Sequence, residues 1–321
     1  MLVPENEKPG RLFWSSLSNS KRIQSLQSTD NAKTPLIGHG KSFSSFGEIV
    51  QGRFSNEDDF LVTLPIDLWS TCELICKPID GPLVIECDFE KSRSLLYSVL
   101  EELGIRDGFH IECVFTRNIP IGKGLSSSTA DMLAALRAIQ EVFGLLLKES
   151  FISRIFASIE PHDGIHYNSC VAYNHRKGVL LANYGYIPKY TIIAVDNGGV
   201  VDTIQYNKGI QFSTLQKESF DRLRVSLQNA FDHKNDQLIA DCASESARLY
   251  YERSGNDFVG SALAALHNFT PLGIVATHSG TCVGFIYPRE TPRDEVSRLV
   301  AEMQKNFNRQ VFVARTLSLL T

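Results

Sequence analysis

The sequence has little that would direct the chain to a membrane, a nucleic acid or an oxidising compartment. No apolar run approaches the roughly 20 residues needed to cross a bilayer, and the first 30 residues contain no apolar core of a signal peptide. The net charge of −4 and the pI near 6.1 give no general attraction to nucleic acids or anionic lipids. These absences predict a cytoplasmic protein with neither a nucleic-acid nor a membrane partner.

The seven cysteines have neither the even count of a disulfide framework nor the paired spacing of a zinc site. Several lie in apolar runs, as Cys113 does. Cys72 and Cys76 are four positions apart, so on a strand both side chains point to one face. Core packing explains that pair better than a metal does, and we expect reduced, mostly buried thiols.

The most informative segment that is present is a loop at 120–130, rich in glycine and serine. It follows a strand-like run at 109–116 and opens an apolar pattern that is typical of a helix. Such a loop presents unpaired N–H groups and the positive end of a helix dipole, which suits a phosphate group. An ordinary serine N-cap is the alternative. The residues predicted to bind a nucleotide phosphate are Pro120, Gly122, Lys123, Gly124, Leu125, Ser126, Ser127, Ser128 and Thr129.

Periodicity places this loop within alternating helices and strands. Helices are predicted at 92–103, 127–143, 148–159, 214–231, 234–253, 256–267 and 291–306. Strands are predicted at 46–50, 60–64, 69–77, 83–87, 109–116, 179–182, 191–195, 200–206, 273–277, 282–287 and 310–314, with a turn at 80–82.

The order of residues in the loop differs from the two most familiar phosphate loops. A Walker A loop has serine or threonine directly after Gly-Lys, whereas Lys123 is followed by Gly124, and a dinucleotide-binding loop has glycine where Ser127 stands. The order Pro-x-x-x-Gly-Leu-x-Ser-Ser instead resembles the phosphate loop of the GHMP kinases, a superfamily that phosphorylates small molecules. That family usually has glycine at position 126 and alanine at 129, so Ser126 and Thr129 depart from its pattern.

The resemblance covers the chain from about residue 38 to its end. The family's first motif corresponds to 46–52, and its third motif, a glycine-rich turn that supports the phosphate loop, corresponds to 279–284. The resemblance implies an α+β, two-domain GHMP-kinase fold with an N-terminal α/β domain and a C-terminal α+β domain. The boundaries that follow are a polar extension at 1–36, an ATP-binding domain at 37–186 and a C-terminal domain at 187–321.

Within the superfamily, the sequence is most similar to the L-threonine kinases of the cobalamin side-chain pathway. The likeness rests on segments 47–52, 64–67, 160–164 and 195–203, which occur in the same order. It implies an ATP- and Mg²⁺-dependent enzyme that converts L-threonine, a small hydroxy amino acid, to O-phospho-L-threonine. Serine, homoserine, an amino alcohol or a sugar are alternative acceptors, and a catalytically silent metabolite sensor is a further alternative. A monomer and a homodimer both remain open.

The resemblance also assigns catalytic and metal-binding roles. Ser128 or its neighbour Ser127, together with Glu160, would hold Mg²⁺; Asp163 would accept or orient the hydroxyl proton, and Lys123 would add a catalytic cation. Glu160 could instead be a solvated acid at a helix end, but a carboxylate there is unfavourable unless a cation lies near. Asp163 could equally belong to an Asp-Gly turn. A transition-metal cluster of His162, Asp163 and His166 lacks a further ligand at a firm spacing.

An amino acid presents an ammonium and a carboxylate, so its site needs an acidic group and a donor or cation. Glu48 and Asp67 are the candidates for the ammonium. Asp196, Gly198 and Asp202 are predicted to line the other side of the cleft, although Asn-Gly-Gly at 197–199 is also a turn signal. Arg53 is a candidate for the carboxylate, with an exposed turn arginine as the alternative.

Overall fold

The computed structural model describes residues 34–199 and 210–318, and every structural statement below concerns these ranges. The polar extension predicted at 1–36 therefore lies almost entirely outside the described residues, as does the strand predicted at 200–206.

The described chain alternates strands and helices. The strands are β1 Leu36–Arg53, β2 Asp59–Pro82, β3 Val84–Glu86, β4 Asp107–Arg117, β5 Val171–Asn174, β6 Val179–Asn183, β7 Tyr190–Asp196, β8 Gly273–Ala276, β9 Cys282–Pro288 and β10 Gln310–Arg315. The helices are α1 Glu90–Glu102, α2 Ser127–Phe143, α3 Glu149–Ile159, α4 Thr214–Asp232, α5 Asp236–Ser254, α6 Asp257–Ala264, α7 Leu266–Phe269 and α8 Arg293–Phe307, and a 3-10 turn spans Ile165–Tyr167.

The strands form two sheets in the described part of the chain. The first has the order β3-β4-β2-β5-β6, with β1 paired to β2 over most of its length, and the second has the order β10-β7-β9-β8. The pairs are antiparallel except for β3 with β4, which are parallel because α1 connects them as a crossover. This mixture of helices and sheets confirms the predicted α+β class.

Helix α2 lies unusually close to β1. A Cβ atom at Gly40 would lie 1.8 Å from the carbonyl oxygen of Ala134, and one at Gly38 would lie 2.3 Å from that of Ala138. Glycine on the strand and alanine on the helix therefore allow a backbone approach that larger side chains would prevent. The middle of α2 is therefore packed directly against β1.

A shared core joins the two sheets. Phe46 of β1 is fully buried and contacts Phe312 of β10, with 6.5 Å between the ring centroids. The first sheet ends at Asn183 and the second begins at Tyr190, one on each side of the predicted boundary at 186/187. That boundary remains a prediction. A site between the two sheets would therefore contain residues from both parts of the chain.

Most of the predicted elements are present, but several of their limits were wrong. The separate strands predicted at 60–64 and 69–77 are parts of the continuous β2, which also runs through the turn predicted at 80–82. The helix predicted at 256–267 is divided into α6 and α7. Strand β5 was missed because all four of its residues are buried and show no alternation.

All seven cysteines are free, and Cys72 and Cys76 are buried in β2. Burial raises the pKa of Cys76 to about 12, so its thiol stays protonated. Among the described helices, none has the length and apolar character required to span a membrane.

Candidate active site

Three glycines pack the predicted phosphate loop against the first and third motif segments. The N–H group of Gly47 in β1 donates to the carbonyl oxygen of Gly124 at 3.1 Å. A Cβ atom at Gly280, in the turn between β8 and β9, would lie 2.2 Å from the carbonyl oxygen of Lys123. A Cβ atom at Gly124, whose φ is +77°, would lie 2.6 Å from Thr277. The three segments thus meet in the structure, and the turn supports the loop.

Ser126 ends the loop in a conformation that usually belongs to glycine. Its φ is +53°, in the left-handed region that glycine adopts without strain. Its hydroxyl does not cap α2; it donates to Asp163 and also contacts the Ser45 hydroxyl. The N–H groups of the first turn of α2, which begins at Ser127, are therefore left for a ligand.

Asp163 lies just after α3, in the turn that precedes the 3-10 segment, and its carboxylate meets the loop. Ser45 of β1 donates to Asp163 Oδ2 at 2.9 Å, and Thr63 of β2 donates to the Asp163 carbonyl oxygen at 3.1 Å. Burial, together with the nearby Glu48 and Glu160, raises the pKa of Asp163 to about 8, although the hydrogen bond from Ser45 lowers it. The carboxyl is thus poised to exchange a proton near neutral pH.

Glu160 and Ser128 form an oxygen pair beside the same turn. The Ser128 hydroxyl, in the first turn of α2, donates to Glu160 Oε1 at 2.6 Å. Glu160 ends α3 and is only 5% exposed, so it is not a solvated acid. Its other oxygen accepts a hydrogen bond from Lys91, in the first turn of α1. A carboxylate at a helix C-terminus is unfavourable unless a cation lies near it. Lys91 is that cation for Glu160.

Lys123 connects the loop to the second sheet. Its ammonium donates to Asp196 Oδ2 at 2.7 Å and to the Gly199 carbonyl oxygen at 2.8 Å. Asp196, the last residue of β7, also accepts from the Thr281 hydroxyl at 2.6 Å and from the Gly198 N–H at 2.9 Å. Burial raises the pKa of Asp196, but the hydrogen bonds from Lys123, Thr281 and Gly198 outweigh it and lower the pKa overall.

Glu48 pairs with a histidine across the two sheets. It is 4% exposed on β1, and its Oε2 lies 3.1 Å from Nδ1 of His278, which is 3% exposed. The backbone N–H of His278 also approaches this oxygen, at 3.4 Å. Since Glu48 raises the pKa of Asp163, the pair belongs to the same charged group of side chains.

The other predicted site residues are placed as follows. Leu125 and Thr129 are buried under the loop, whereas Pro120, Gly122 and Ser127 are partly exposed along it. Asp67 is exposed on β2 and accepts a hydrogen bond from the Trp69 indole at 2.6 Å, and no described hydrogen bond links it to the group around Asp163. Asp202 lies outside the described residues. Arg53 binds Asp59 at 2.8 Å as a structural ion pair.

Among the described residues, His162 and His166 do not belong to a group of side chains that could hold a metal ion. His162 bonds the Tyr173 hydroxyl at 2.9 Å, and His166 bonds the Ser153 hydroxyl at 2.9 Å. Burial lowers the pKa of His162 to about 4 and that of His166 to about 3, so both rings stay neutral. Their role is to fill and order the core behind the Asp163 turn.

Comparison with known proteins shows which enzymes this arrangement resembles. Residues 92–171 match the model of the GHMP kinases N terminal domain, a segment that contains the loop, Glu160 and Asp163. An L-threonine kinase of Citrobacter freundii is 25% identical over 252 residues, which cover 77% of this chain and 85% of that protein. An L-threonine kinase of Salmonella typhimurium is 24% identical over 264 residues, which cover 81% and 85% of the two chains. The chain is therefore similar to the GHMP kinases, and residues 92–171 match their N-terminal domain.

The likeness in fold extends beyond the matched segment. The crystal structure of L. major mevalonate kinase in complex with R-mevalonate superposes with a TM-score of 0.64, covering 89% of this chain and 97% of that one at 14% identity. At this identity the likeness concerns the fold alone. It confirms the predicted α+β GHMP-kinase fold.

Proposed function

We propose that this chain is a GHMP kinase that transfers the γ-phosphoryl group of ATP to the side-chain hydroxyl of L-threonine, giving O-phospho-L-threonine and ADP. The observation that carries the proposal is the meeting of Ser128, Glu160 and Asp163 at the open start of α2. Phosphoryl transfer requires neutralised phosphate charge, in-line positioning and a destination for the hydroxyl proton. The described residues offer a group for each requirement.

The start of α2 is the proposed phosphate site. The N–H groups of Ser127, Ser128 and Thr129 have no intrahelical partner at this position, and the helix dipole adds partial positive charge. Lys123 lies beside them and is held at 2.7 Å by Asp196. A phosphate would compete with Asp196 for this ammonium, so the lysine is placed to exchange one anionic partner for another.

Ser128 and Glu160 fit Mg²⁺ because they are hard oxygen ligands that already lie 2.6 Å apart. Mg²⁺ would supply charge neutralisation on the phosphates when bound. Ser128 presents its oxygen from the helix that receives the phosphates, and Glu160 adds the negative charge. Lys91 holds Glu160 in place through an ion pair.

Asp163 is the proposed proton acceptor. In the transfer, the hydroxyl oxygen of the acceptor forms a bond to the γ-phosphorus, the bond to the oxygen of ADP breaks, and the hydroxyl proton passes to Asp163. Ser45 and Ser126 hold the carboxylate by hydrogen bonds to Oδ2, which leaves Oδ1 for the substrate. A pKa of about 8 makes Asp163 a stronger base than an ordinary carboxylate.

The choice of L-threonine rests on the two curated relatives and on Glu48. Both relatives are L-threonine kinases and align over most of the chain. Glu48, buried beside Asp163, offers a carboxylate to a substrate ammonium. Asp67, exposed on β2, is not used in this proposal, and Asp196 and Gly198 act through Lys123.

The test is ADP release from Mg²⁺·ATP with L-threonine, L-serine, L-homoserine, an amino alcohol and a few sugars. We expect turnover that depends on L-threonine and on Mg²⁺. Turnover with another compound would keep the kinase and replace the acceptor. Bound ATP with no turnover across the panel would contradict the proposal.

A further inference from the structure

The two carboxylate oxygens of Glu160 are bound by partners from two different helices. The Ser128 hydroxyl of α2 donates to Oε1 at 2.6 Å, and the Lys91 ammonium of α1 donates to Oε2. Glu160 itself follows the last residue of α3. Because α1 packs against both α2 and α3, the three side chains meet where these helices come together.

The ion pair between Lys91 and Glu160 is shielded from water on the side of the acid. The Glu160 side chain is only 4% exposed, whereas that of Lys91 is 42% exposed. A buried carboxylate is costly unless a cation accompanies it, so Lys91 stabilises Glu160 in this position. Water competes little for Oε2, and Oε1 is the oxygen that remains for a metal beside Ser128.

Neutralisation of a buried acid does not by itself require this division of the two oxygens. An ammonium on either oxygen would neutralise Glu160 equally well. The division matters for a metal ion, because it decides whether the ion can bind one carboxylate oxygen or both. Lys91 on Oε2 leaves Glu160 as a ligand with a single available oxygen.

Mg²⁺ and Ca²⁺ differ in how they bind a carboxylate. Mg²⁺ is small, requires a nearly octahedral shell and keeps several waters, so one carboxylate oxygen suffices. Ca²⁺ takes about six to eight oxygen ligands and often binds both oxygens of one carboxylate. An ion between the two oxygens of Glu160 would lie closer to the Lys91 ammonium than an ion on Oε1 alone, and it would be repelled more strongly. The arrangement therefore favours Mg²⁺.

We propose that Lys91 makes the metal site select Mg²⁺ over Ca²⁺ by holding the second oxygen of Glu160. The inference rests on the proposed function, in which Ser128 and Glu160 hold Mg²⁺, and it assigns a specificity role to a residue outside that pair. Lys91 acts through Glu160 and is a positioning residue. The selectivity serves phosphoryl transfer because the strict shell of Mg²⁺ holds the phosphates in one geometry.

The test measures the affinity for ADP by calorimetry in Mg²⁺, in Ca²⁺ and in a chelator, with each metal saturating the nucleotide. The readout is the ratio of the Kd values for Ca²⁺·ADP and Mg²⁺·ADP. Both ions carry a charge of +2, so a general change in local charge alters the two affinities alike. We expect the wild type to prefer Mg²⁺·ADP about tenfold or more, and Lys91→Met to lower the ratio about tenfold, which is typical when a residue that orients a metal ligand is lost.

Three further variants separate position from charge. Lys91→Arg keeps a donor and a positive charge and should retain most of the preference. Lys305→Met, an exposed change in the last turn of α8, is the matched control and should leave the ratio unaltered. Glu160→Gln should bring the two affinities close together, because neither ion then has the carboxylate.

The outcomes distinguish this inference from the proposed function. A wild type that binds both complexes equally, but more tightly than ADP in chelator, would overturn the role of Lys91 without any variant. An unchanged ratio in Lys91→Met, with binding still dependent on Mg²⁺, would do the same and leave the proposed function standing. A lowered ratio in a protein that phosphorylates no acceptor would support the selectivity and contradict the proposed reaction. ADP affinity that no metal alters would contradict both.

Discussion

Asp163 combines two properties that conflict in most carboxylates, since it is held by hydrogen bonds and yet binds a proton readily. Hydrogen bonds from Ser45 and Ser126 favour the ionised form, whereas burial and the charges of Glu48 and Glu160 favour the protonated form. The second set prevails in the free protein. The geometry of the carboxylate is thus fixed by serines while its basicity is set by its acidic neighbours.

These opposing effects on the pKa of Asp163 predict how the activity depends on pH. With the pKa of Asp163 near 8, kcat/KM for the acceptor should rise as pH increases from 6 to 9, because the carboxylate is the active form. Asp163→Asn should lower kcat by about 10²- to 10⁴-fold and leave nucleotide affinity within a few-fold of the wild type. Steady-state kinetics over this pH range, with ATP and the acceptor varied separately, would check both statements.

The same pKa gives a stability prediction with a defined sign. A folded-state pKa raised above the ordinary value means that the protonated carboxyl stabilises the fold fully below pH 3.8, and that this contribution is lost as pH rises to about 8. Asp163→Asn should therefore gain stability relative to the wild type between these limits and keep a constant advantage above them. Denaturant unfolding at pH 5, 7 and 9 measures the difference in the free energy of unfolding. A wild type that becomes more stable relative to the variant as pH rises would contradict the assignment.

Ser126 permits a separate prediction because its conformation and its hydroxyl can be tested independently. Both Ser126→Ala and Ser126→Gly remove the hydroxyl that contacts Asp163, but glycine alone tolerates a φ of +53° without strain. We expect the glycine variant to be about 1 kcal/mol more stable than the alanine variant in urea unfolding. Equal stability of the two would show that the left-handed conformation carries no cost here.

At the scale of elements, the site depends on the contact between the phosphate loop and the turn before β9. Gly280 allows that contact because it has no Cβ atom. A Cβ atom at this position would lie 2.2 Å from the carbonyl oxygen of Lys123 and 2.5 Å from the backbone nitrogen of Gly124. Both atoms belong to backbone, which cannot move aside without moving the loop. The turn therefore sets the position of the loop relative to α2.

Gly280→Ala should consequently displace the loop. We expect at least a tenfold loss of nucleotide affinity, because the start of α2 and Lys123 would no longer face the same point. The adjacent Ser279→Ala adds no volume to the contact and serves as the control. Nucleotide binding by calorimetry compares the two variants, and unchanged affinity in Gly280→Ala would mean that the loop is not held by this turn.

The sequence predicts local elements of this fold better than the contacts between distant ones. Helix α2 was predicted with its observed limits, because its apolar pattern is regular and Gly144 ends it in the left-handed conformation. Lys91 was missed because it meets Glu160 across 69 residues, and His278 was missed because it meets Glu48 across 230. No local pattern marks such pairs, since each is created only when helices and sheets pack together.

At the scale of the whole molecule, both sheets build the site, and ligand binding should stabilise them together. Ser45, Ser126 and Asp163 come from the first sheet and its helices, while Asp196, His278 and Thr281 come from the second. A shared core with Phe46 and Phe312 in contact already joins the two parts. Nucleotide bound at the loop would add contacts through Lys123 to this junction.

We therefore expect one thermal unfolding transition that shifts upward as a unit with Mg²⁺·ADP. At a ligand concentration about 100 times Kd, the stabilisation is about 2.7 kcal/mol, which for a chain of this size raises Tm by roughly 4 °C. Glu160→Gln should lose the part of the shift that depends on Mg²⁺ and keep the part given by ADP with a chelator. Calorimetric scans that resolved two transitions, with only the first raised by ligand, would show that the second sheet does not contribute to binding.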